Sequence, residues 1–196
     1  MNRIMKNLHV NWKFAILTFL YTVGLSAYLI AQDDTNMATS EMKAPDFELM
    51  DLDGNMVSLA DYEGRFLVMH IATTWCPYCN AEAPYLEQLY KDYADHNVGV
   101  LIVDVKESKE LVKEKLQDRF NFTFPVLLDS DGTMAGSYAP PDVLPDLARD
   151  EIMLASNILI DPSGSIQYMS LLDTRNFDAK LVHLKAKLDG MLRASN

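Results

Sequence analysis

The chain has 196 residues, 49% of them apolar, which suits one domain with its own core and a short additional segment. Its formal net charge of −11 argues against nucleic acid as a partner, because an acidic surface repels phosphates, and is consistent with plain solubility. It contains two cysteines, so these two thiols pair with each other, bind a metal or react.

The N-terminal region has the pattern of a membrane anchor. Residues 1–13 form a basic leader, residues 14–31 contain no charged side chain, and Asp33 and Asp34 follow. An apolar run of this length is near the minimum for a spanning helix and exceeds the core of most signal peptides. The positive charges predict that the leader stays in the cytoplasm and that the rest is exported. We expect a single-pass inner-membrane protein of the cell envelope with a periplasmic domain; a cleaved signal peptide is the alternative.

Residues 32–43 are polar and predict a linker, after which residues 44–196 show alternating strand and helix patterns. Short apolar runs predict strands at 47–50, 56–59, 66–71, 98–105, 124–128, 158–160 and 166–168. The helical spacing of apolar residues predicts helices at 77–93 and 108–120. A last helix is predicted from an apolar stripe formed by Phe177, Leu181, Leu184, Leu188 and Leu192.

The order of these elements predicts the fold class. A β-α-β unit followed by a β-hairpin and a terminal helix is typical of a three-layer α/β sandwich with a mixed central sheet. The turn at 51–54 predicts a further hairpin near the start of the domain. Residues 139–154 contain four acidic residues and three prolines and predict a surface insertion.

Both cysteines lie in the motif Trp75-Cys76-Pro77-Tyr78-Cys79, where a predicted strand is followed by a predicted helix. At a helix N-terminus, Cys76 faces unpaired N–H groups and the positive end of the helix dipole, which favour its thiolate. Cys79 falls on the same face of the helix and can close a disulfide after Cys76 has attacked. Pro77 suits the first helical position, and we expect Trp75 to pack beside the cysteines.

A zinc site is the main alternative for two cysteines with this spacing. A structural zinc site needs four ligands, and the sequence offers no second cysteine pair. His70, His96 and His183 lack the spacing of a ligand pair. The motif therefore predicts redox chemistry.

Four segments together resemble the TlpA/ResA-type thioredoxins, which lie within the wider alkyl-hydroperoxide-reductase/thiol-specific-antioxidant group. They are Ala-Pro-Asp-Phe at 44–47, Asp-Leu-Asp-Gly at 51–54, the cysteine motif at 75–79 and Phe-Pro-Val-Leu-Leu-Asp at 124–129. The resemblance extends from residue 44 to the C-terminus, apart from the insertion.

The resemblance implies a thioredoxin fold without a cofactor, in a membrane-bound extracytoplasmic protein. It makes Cys76 the attacking thiol and Cys79 the resolving thiol of a thiol:disulfide oxidoreductase. The expected partners are protein disulfides or dithiols of the cell envelope, with an upstream membrane or periplasmic electron donor. The family favours a reductant, with cytochrome c maturation as one role, since apocytochrome cysteines must be reduced before haem attachment.

Two further residues are candidates for moving protons at the cysteine pair. Glu82 stands where ResA-like proteins carry an acidic residue, and it shares a helix face with both cysteines, so its carboxylate could accept the Cys79 proton. The alternative is a solvated helix glutamate. His70 lies six residues before Cys76, where thioredoxins have a buried aspartate, and could relay protons near neutral pH. The alternative is a core histidine with a backbone partner.

The sequence departs from the thioredoxin pattern at Ala155. Thioredoxins place a cis-proline opposite the cysteine pair, just before the strand predicted here at 158–160. A cis bond without proline is costly, so we expect a trans peptide bond at Ala155. The change bears on substrate docking and on metal exclusion at this loop.

Two other functions are consistent with parts of the sequence. A peroxidase of the peroxiredoxin superfamily is suggested by Thr73, three residues before Cys76, although Met69 and Ala155 do not fit that pattern. A copper chaperone is suggested by the paired thiolates, which bind Cu(I) well, with His183 as the downstream histidine.

Overall fold

Seven strands form one mixed sheet in the computed structural model, which describes residues 42–194. The strands are β1 Glu48–Asp51, β2 Met56–Ser58, β3 Phe66–Ala72, β4 Val98–Val105, β5 Val126–Asp129, β6 Ser156–Ile160 and β7 Ile166–Ser170. Their order across the sheet is β2-β1-β5-β4-β3-β6-β7. β3, β4 and β5 are parallel, and the other neighbouring pairs are antiparallel.

The centre of the sheet is β3 and β4, both buried at every position. Such continuous apolar strands need cover on both faces, and helices supply it in this class of fold. Alternate residues of β3 point to opposite faces of the sheet. Val68 and Ala72 belong to the buried cluster that contains residues of the long helices, and Leu67 and Met69 belong to a second cluster on the other face.

Helices lie between and after the strands. They are α1 Pro77–Asp92, α2 Lys109–Val112, α3 Asp118–Phe120, α4 Thr133–Ser137, α5 Arg149–Ile152 and α6 Val182–Ala194. The helix predicted at 108–120 is interrupted, because a π-helical turn at Lys113–Gln117 joins α2 to α3. The thioredoxin-like α/β architecture and the hairpin of β1 and β2 are as predicted.

The start of the last helix was predicted too early. Phe177 and Leu181 precede α6, and Leu181 has a left-handed backbone with φ 57°. The reason is a capping contact: the Asp178 carboxylate accepts the His183 N–H at 2.9 Å. Acceptors that satisfy the free N–H groups of a first turn determine where a helix begins.

The predicted insertion at 139–154 follows α4 and contains α5. Most of its residues up to Glu151 are partly or fully exposed, whereas Ile152 and Met153 are buried. The segment is thus a surface excursion whose C-terminal end is packed into the core.

The predicted anchor at 14–31, the basic leader and nearly all of the linker lie outside the described residues. Within residues 42–194, no helix combines the length and apolarity that crossing a membrane requires.

Candidate active site

The cysteine pair lies where β3 leads into α1. Cys76 is the N-cap residue of α1, and its Sγ accepts the backbone N–H of Cys79 at 3.2 Å. Pro77 occupies the first turn, where its missing N–H leaves no bond unmade. Both cysteines are buried and both are free thiols.

The two thiols differ in acidity. A hydrogen bond from the Cys79 thiol lowers the pKa of Cys76 to about 6, with help from the backbone N–H groups of Cys79 and Tyr78 and against the effect of burial. The same hydrogen bond, together with burial, raises the pKa of Cys79. These shifts favour the thiolate at Cys76 and keep the proton on Cys79.

The turn before Cys76 is fixed by polar contacts. Both the backbone N–H and the hydroxyl of Thr74 donate to the Glu107 carboxylate, the hydroxyl at 2.7 Å. The Asn80 amide donates to the carbonyls of Thr74 and Cys76 at 2.9 and 2.8 Å. These contacts tie the turn at the N-terminus of α1 to the segment that follows β4.

Glu82 lies on the buried side of α1. The Asn157 amide donates to its Oε1 at 3.0 Å, and His70 Nδ1 lies 3.3 Å from its Oε2. Burial raises the pKa of Glu82 to about 8, and the charges of Cys76 and Asp178 contribute to this increase. The hydrogen bond from the Asn157 amide acts in the opposite direction. A carboxyl group with such a pKa can exchange a proton near neutral pH.

His70 reaches Glu82 from the sheet. Its Nδ1 lies 2.9 Å from Asn157 Oδ1, and since an amide oxygen only accepts, Nδ1 carries the proton. Burial lowers the pKa of His70 to about 4, against hydrogen bonds with Asn157 and the Ser156 backbone, so the ring is neutral at neutral pH. His70 thus combines the two arrangements considered from the sequence: it is a core histidine, and it stands next to Glu82.

Sequence reasoning missed Asn157. It is the cross-strand partner of His70 in the antiparallel pair of β6 and β3, and its side chain contacts both His70 and Glu82. A sequence signal existed, because Asn157 is an amide directly before the apolar run that completes β6. Buried amides of this kind require polar partners.

Ala155 directly precedes β6, and the peptide bonds of the described residues, including the one before Ala155, are all trans. Its backbone has φ 60°, and its N–H donates to the Ile71 carbonyl at 2.8 Å. Proline has no N–H and a φ fixed near −65°, so this loop conformation is incompatible with proline. Ala155 and Glu82 line one pocket of about 260 Å³.

The aromatic residues of the motif have different surroundings. Tyr78 packs edge-on against Phe177, with ring centroids 4.9 Å apart. Trp75 adjoins the cysteines but is largely exposed, so the expected packing of this ring is wrong. The turn that precedes α1 directs the ring into an open groove shared with Cys76.

A thioredoxin-like sheet with a reactive dithiol at the start of α1 defines the class of thiol:disulfide oxidoreductases. Comparison with known proteins agrees. The chain belongs to the AhpC/TSA family, whose model matches residues 41–169.

Relatives and solved structures are of the same kind. The thiol-disulfide oxidoreductase ResA of Geobacillus kaustophilus is 32% identical over 152 residues, which cover 78% of this chain and 80% of the relative. ResA of Bacillus subtilis is 28% identical over 77% of this chain and 78% of its own length. A putative thioredoxin of Neisseria meningitidis superposes with a TM-score of 0.62 at 25% identity, covering 79% and 93% of the two chains. A putative thiol:disulfide interchange protein DsbE of Chlorobium tepidum superposes with a TM-score of 0.59 at 22% identity, and the match covers 78% of this chain and 96% of that protein. The chain is a thiol:disulfide oxidoreductase that acts on protein disulfides or dithiols.

Proposed function

We propose that the chain is a reductant of protein disulfides on the extracytoplasmic side of a membrane. The observation that supports thiolate attack is the position of Cys76 at the N-cap of α1, where the thiol and the backbone N–H of Cys79 lower its pKa. The direction rests on the resemblance to the TlpA/ResA-type thioredoxins and on the similarity to ResA proteins. A thiolate stabilised less strongly than that of the oxidant DsbA would make the reduced form a better electron donor.

The reaction takes two exchanges. The Cys76 thiolate attacks a partner disulfide; a bond forms between Cys76 Sγ and one partner sulfur, the partner's S–S bond breaks, and the leaving sulfur takes up a proton. Cys79 then loses its proton and attacks Cys76 Sγ, which forms the Cys76–Cys79 disulfide and releases the second partner cysteine as a thiol. Two electrons pass to the partner, and an upstream thiol donor of the envelope returns them.

Glu82 is the proposed acceptor of the Cys79 proton. It shares the buried face of α1 with Cys79, and its charge contributes to the raised pKa of that thiol. Asn157 and His70 fix the orientation of its carboxyl group. The pocket of about 260 Å³ that Glu82 lines gives the proton a route to solvent.

The proposed location rests on the sequence pattern. A basic leader at 1–13 and an apolar segment at 14–31 support an inner-membrane anchor with the domain in the periplasm. Substrates in this location include apocytochrome c, whose cysteines must be reduced before haem is attached.

The two alternatives have less support in the site. Among residues 42–194, no arginine donates a hydrogen bond to Cys76, as a peroxidase would need. Nor does this part of the chain contain three or more histidine, cysteine or acidic side chains placed to hold a metal ion, which leaves a copper carrier without a third ligand.

The reduction potential of the Cys76–Cys79 pair tests the proposal. We would equilibrate the full chain in detergent with dithiothreitol or glutathione buffers and quantify the two thiols by alkylation. A potential near that of thioredoxin, about −270 mV, is expected for a reductant. A value near −120 mV, as in DsbA, would instead identify an oxidant and contradict the cytochrome role.

A further inference from the structure

An apolar groove of about 430 Å³ begins at the cysteine motif and adjoins the pocket of Glu82, with which it shares Leu171 and Leu172. Its floor is Trp75, Cys76 and Tyr78, and one wall comes from the surface insertion. A volume of this size is within the range of pockets that bind ligands, about 300–1,000 Å³. We call it the insertion groove.

Large apolar side chains are concentrated in this groove. Four of the nine that are exposed within residues 42–194 line it: Trp75 is 67% exposed, Leu144 57%, Leu147 46% and Leu172 37%. Single exposed apolar residues are ordinary, but a contiguous group of them marks an interaction site.

The insertion wall is fixed to the body of the domain. The Arg149 guanidinium donates to the carbonyls of Val143, at 3.2 Å, and Pro140, which closes the loop on itself. Asp150 pairs with Lys106 at 2.6 Å, which ties the loop to the end of β4. Leu144 has a left-handed backbone, φ 43°, directly before a proline, a conformation unfavourable for leucine. These contacts therefore fix the loop in a conformation that leaves its apolar side chains exposed to solvent.

One exposed acidic side chain, Glu151, lines the groove, and the insertion carries two further exposed acids, Asp142 and Asp146. The one basic residue of the insertion, Arg149, is occupied with backbone carbonyls. A ligand with positive charge would therefore be attracted to this edge.

We propose that the insertion groove binds an extended segment of the substrate protein, in which a large apolar residue and a basic residue flank the cysteine that bonds to Cys76. The proposal rests on the proposed function, because any sulfur that reaches Cys76 Sγ must approach beside the groove. A folded partner buries its large apolar residues, whereas an extended one presents them next to its cysteine. Apolar side chains then fill the groove between Trp75 and Leu144, and the basic residue faces Glu151.

The test uses two peptide disulfides of equal length with the full chain in detergent. One peptide has leucine and arginine beside its cysteine, and the other has serine and glutamate there. A small aromatic disulfide, dithiobis(nitrobenzoate), measures the reactivity of Cys76 without docking. We expect the leucine–arginine peptide to be reduced with a kcat/KM about tenfold higher, since burial of one large side chain contributes at least this much.

The matched variants separate docking from chemistry. Leu144→Ser with Leu147→Ser should remove most of the preference and leave the small disulfide unaffected. Met50→Ser with Met56→Ser, a similarly exposed pair on β1 and β2 outside the groove, should retain the preference. Leu147→Ser alone tests the same wall if the double variant folds poorly, because Leu147 does not line the pocket of Glu82. Glu151→Gln should reduce the preference for arginine at low salt.

The outcomes are distinguishable. If the wild-type chain reduces the small disulfide but treats both peptides alike, the docking proposal is overturned and the proposed function stands. If the small disulfide is not reduced either, the proposed function fails first. A concentration-dependent dimer that is lost in the double leucine variant would assign the groove to a second copy of the chain and would also overturn the proposal.

Discussion

Two glutamates on the same helix behave in opposite ways. Glu82 and Glu87 both lie on α1 and are both buried, with 2% and 7% of their surface exposed. Burial raises the pKa of Glu82 to about 8, and the Asn157 amide alone opposes it with a hydrogen bond. Burial also acts on Glu87, but it is outweighed by the Thr123 N–H at 2.9 Å, the Thr123 hydroxyl at 2.8 Å and Lys91 at 2.9 Å, so the pKa is lowered.

The difference shows that burial alone does not decide whether a carboxyl group is charged. The donors and charges that face it, set against the depth at which it is buried, decide together. Glu87 has three donors and serves as a charged link between α1 and the loop before β5. Glu82 has one amide donor and the nearby His70, so it keeps its proton up to near-neutral pH, where that proton can be exchanged. The position of a residue on a helix face therefore defines its role only together with the contacts that neighbouring segments supply.

The largest expected effect is on the resolving step in Glu82→Gln. Glutamine keeps the shape of Glu82 but cannot accept the Cys79 proton, and general base catalysis contributes about two to three orders of magnitude. The mixed disulfide with Cys76 should therefore accumulate, and its decay should slow by about this factor. Acid quenching followed by mass spectrometry measures the decay directly.

Glu87→Gln, on the same helix, is the matched control for that measurement. Its decay rate should stay within about twofold of the wild-type rate, because Glu87 faces Thr123 rather than the cysteines. Equal slowing in both variants would mean that the helix, and not the Glu82 carboxyl, limits the step.

The next effect is on the pH dependence of stability. The folded-state pKa of Glu82, about 8, is above its unfolded value of about 4.3, so between these pH values the folded chain holds a proton that the unfolded chain has lost. The contribution of Glu82 is present below about pH 4 and is lost as pH rises through 8. Relative to Glu82→Gln, the reduced wild-type chain should lose about 4 kcal/mol between pH 4.5 and 8.5.

Urea denaturation of both reduced proteins across this pH range measures that difference. Asp104, whose pKa burial also raises to about 8, is present in both proteins, so its contribution cancels. Parallel curves for the two proteins would show that Glu82 ionises normally in the folded chain.

Glu87→Gln should destabilise the fold at pH 7 by about 2 kcal/mol, since hydrogen bonds to a charged group contribute about 1.5–3 kcal/mol. The sign with pH is opposite to that of Glu82. A lowered pKa gives stability that is present above the unfolded value and is lost as pH falls, so the variant and the wild type should converge at low pH. Urea midpoints of both proteins at pH 7 and pH 3 measure the loss of stability at neutral pH and the convergence at low pH.

The parts of the fold that local patterns determine could be predicted. β4 was predicted at 98–105 and lies at Val98–Val105, because a continuous apolar run with sharp polar ends leaves little choice. The start of α1 at the cysteine motif follows from Pro77 and from the N-cap role of Cys76. Both depend on residues close together in the chain.

The rest of the site depends on residues far apart in the chain. His70 meets Asn157 only through the register of β3 against β6, which separates the pair by 87 residues. The backbone of Ala155, with φ 60°, depends on its hydrogen bond to Ile71 on the neighbouring strand. No periodicity in the sequence encodes such contacts, so the network around Glu82 and the insertion groove required the structure.

The smallest expected effect is that of His70→Asn, and it separates two roles for this histidine. Burial lowers the pKa of His70 to about 4, so at neutral pH the ring is uncharged. Its Nδ1–H donates to Asn157 Oδ1 and so holds in place the amide that donates to Glu82. Its loss should destabilise the Glu82 carboxylate and move the pH profile of the resolving step upward by about half a unit. The alkylation profile of Cys76 should stay unchanged, with His96→Asn, an exposed histidine, as the control. If His70 instead relays protons to the pair, the Cys76 profile itself must shift. If neither profile moves, His70 contributes packing alone, and Asn157 is left as the one partner that orients Glu82.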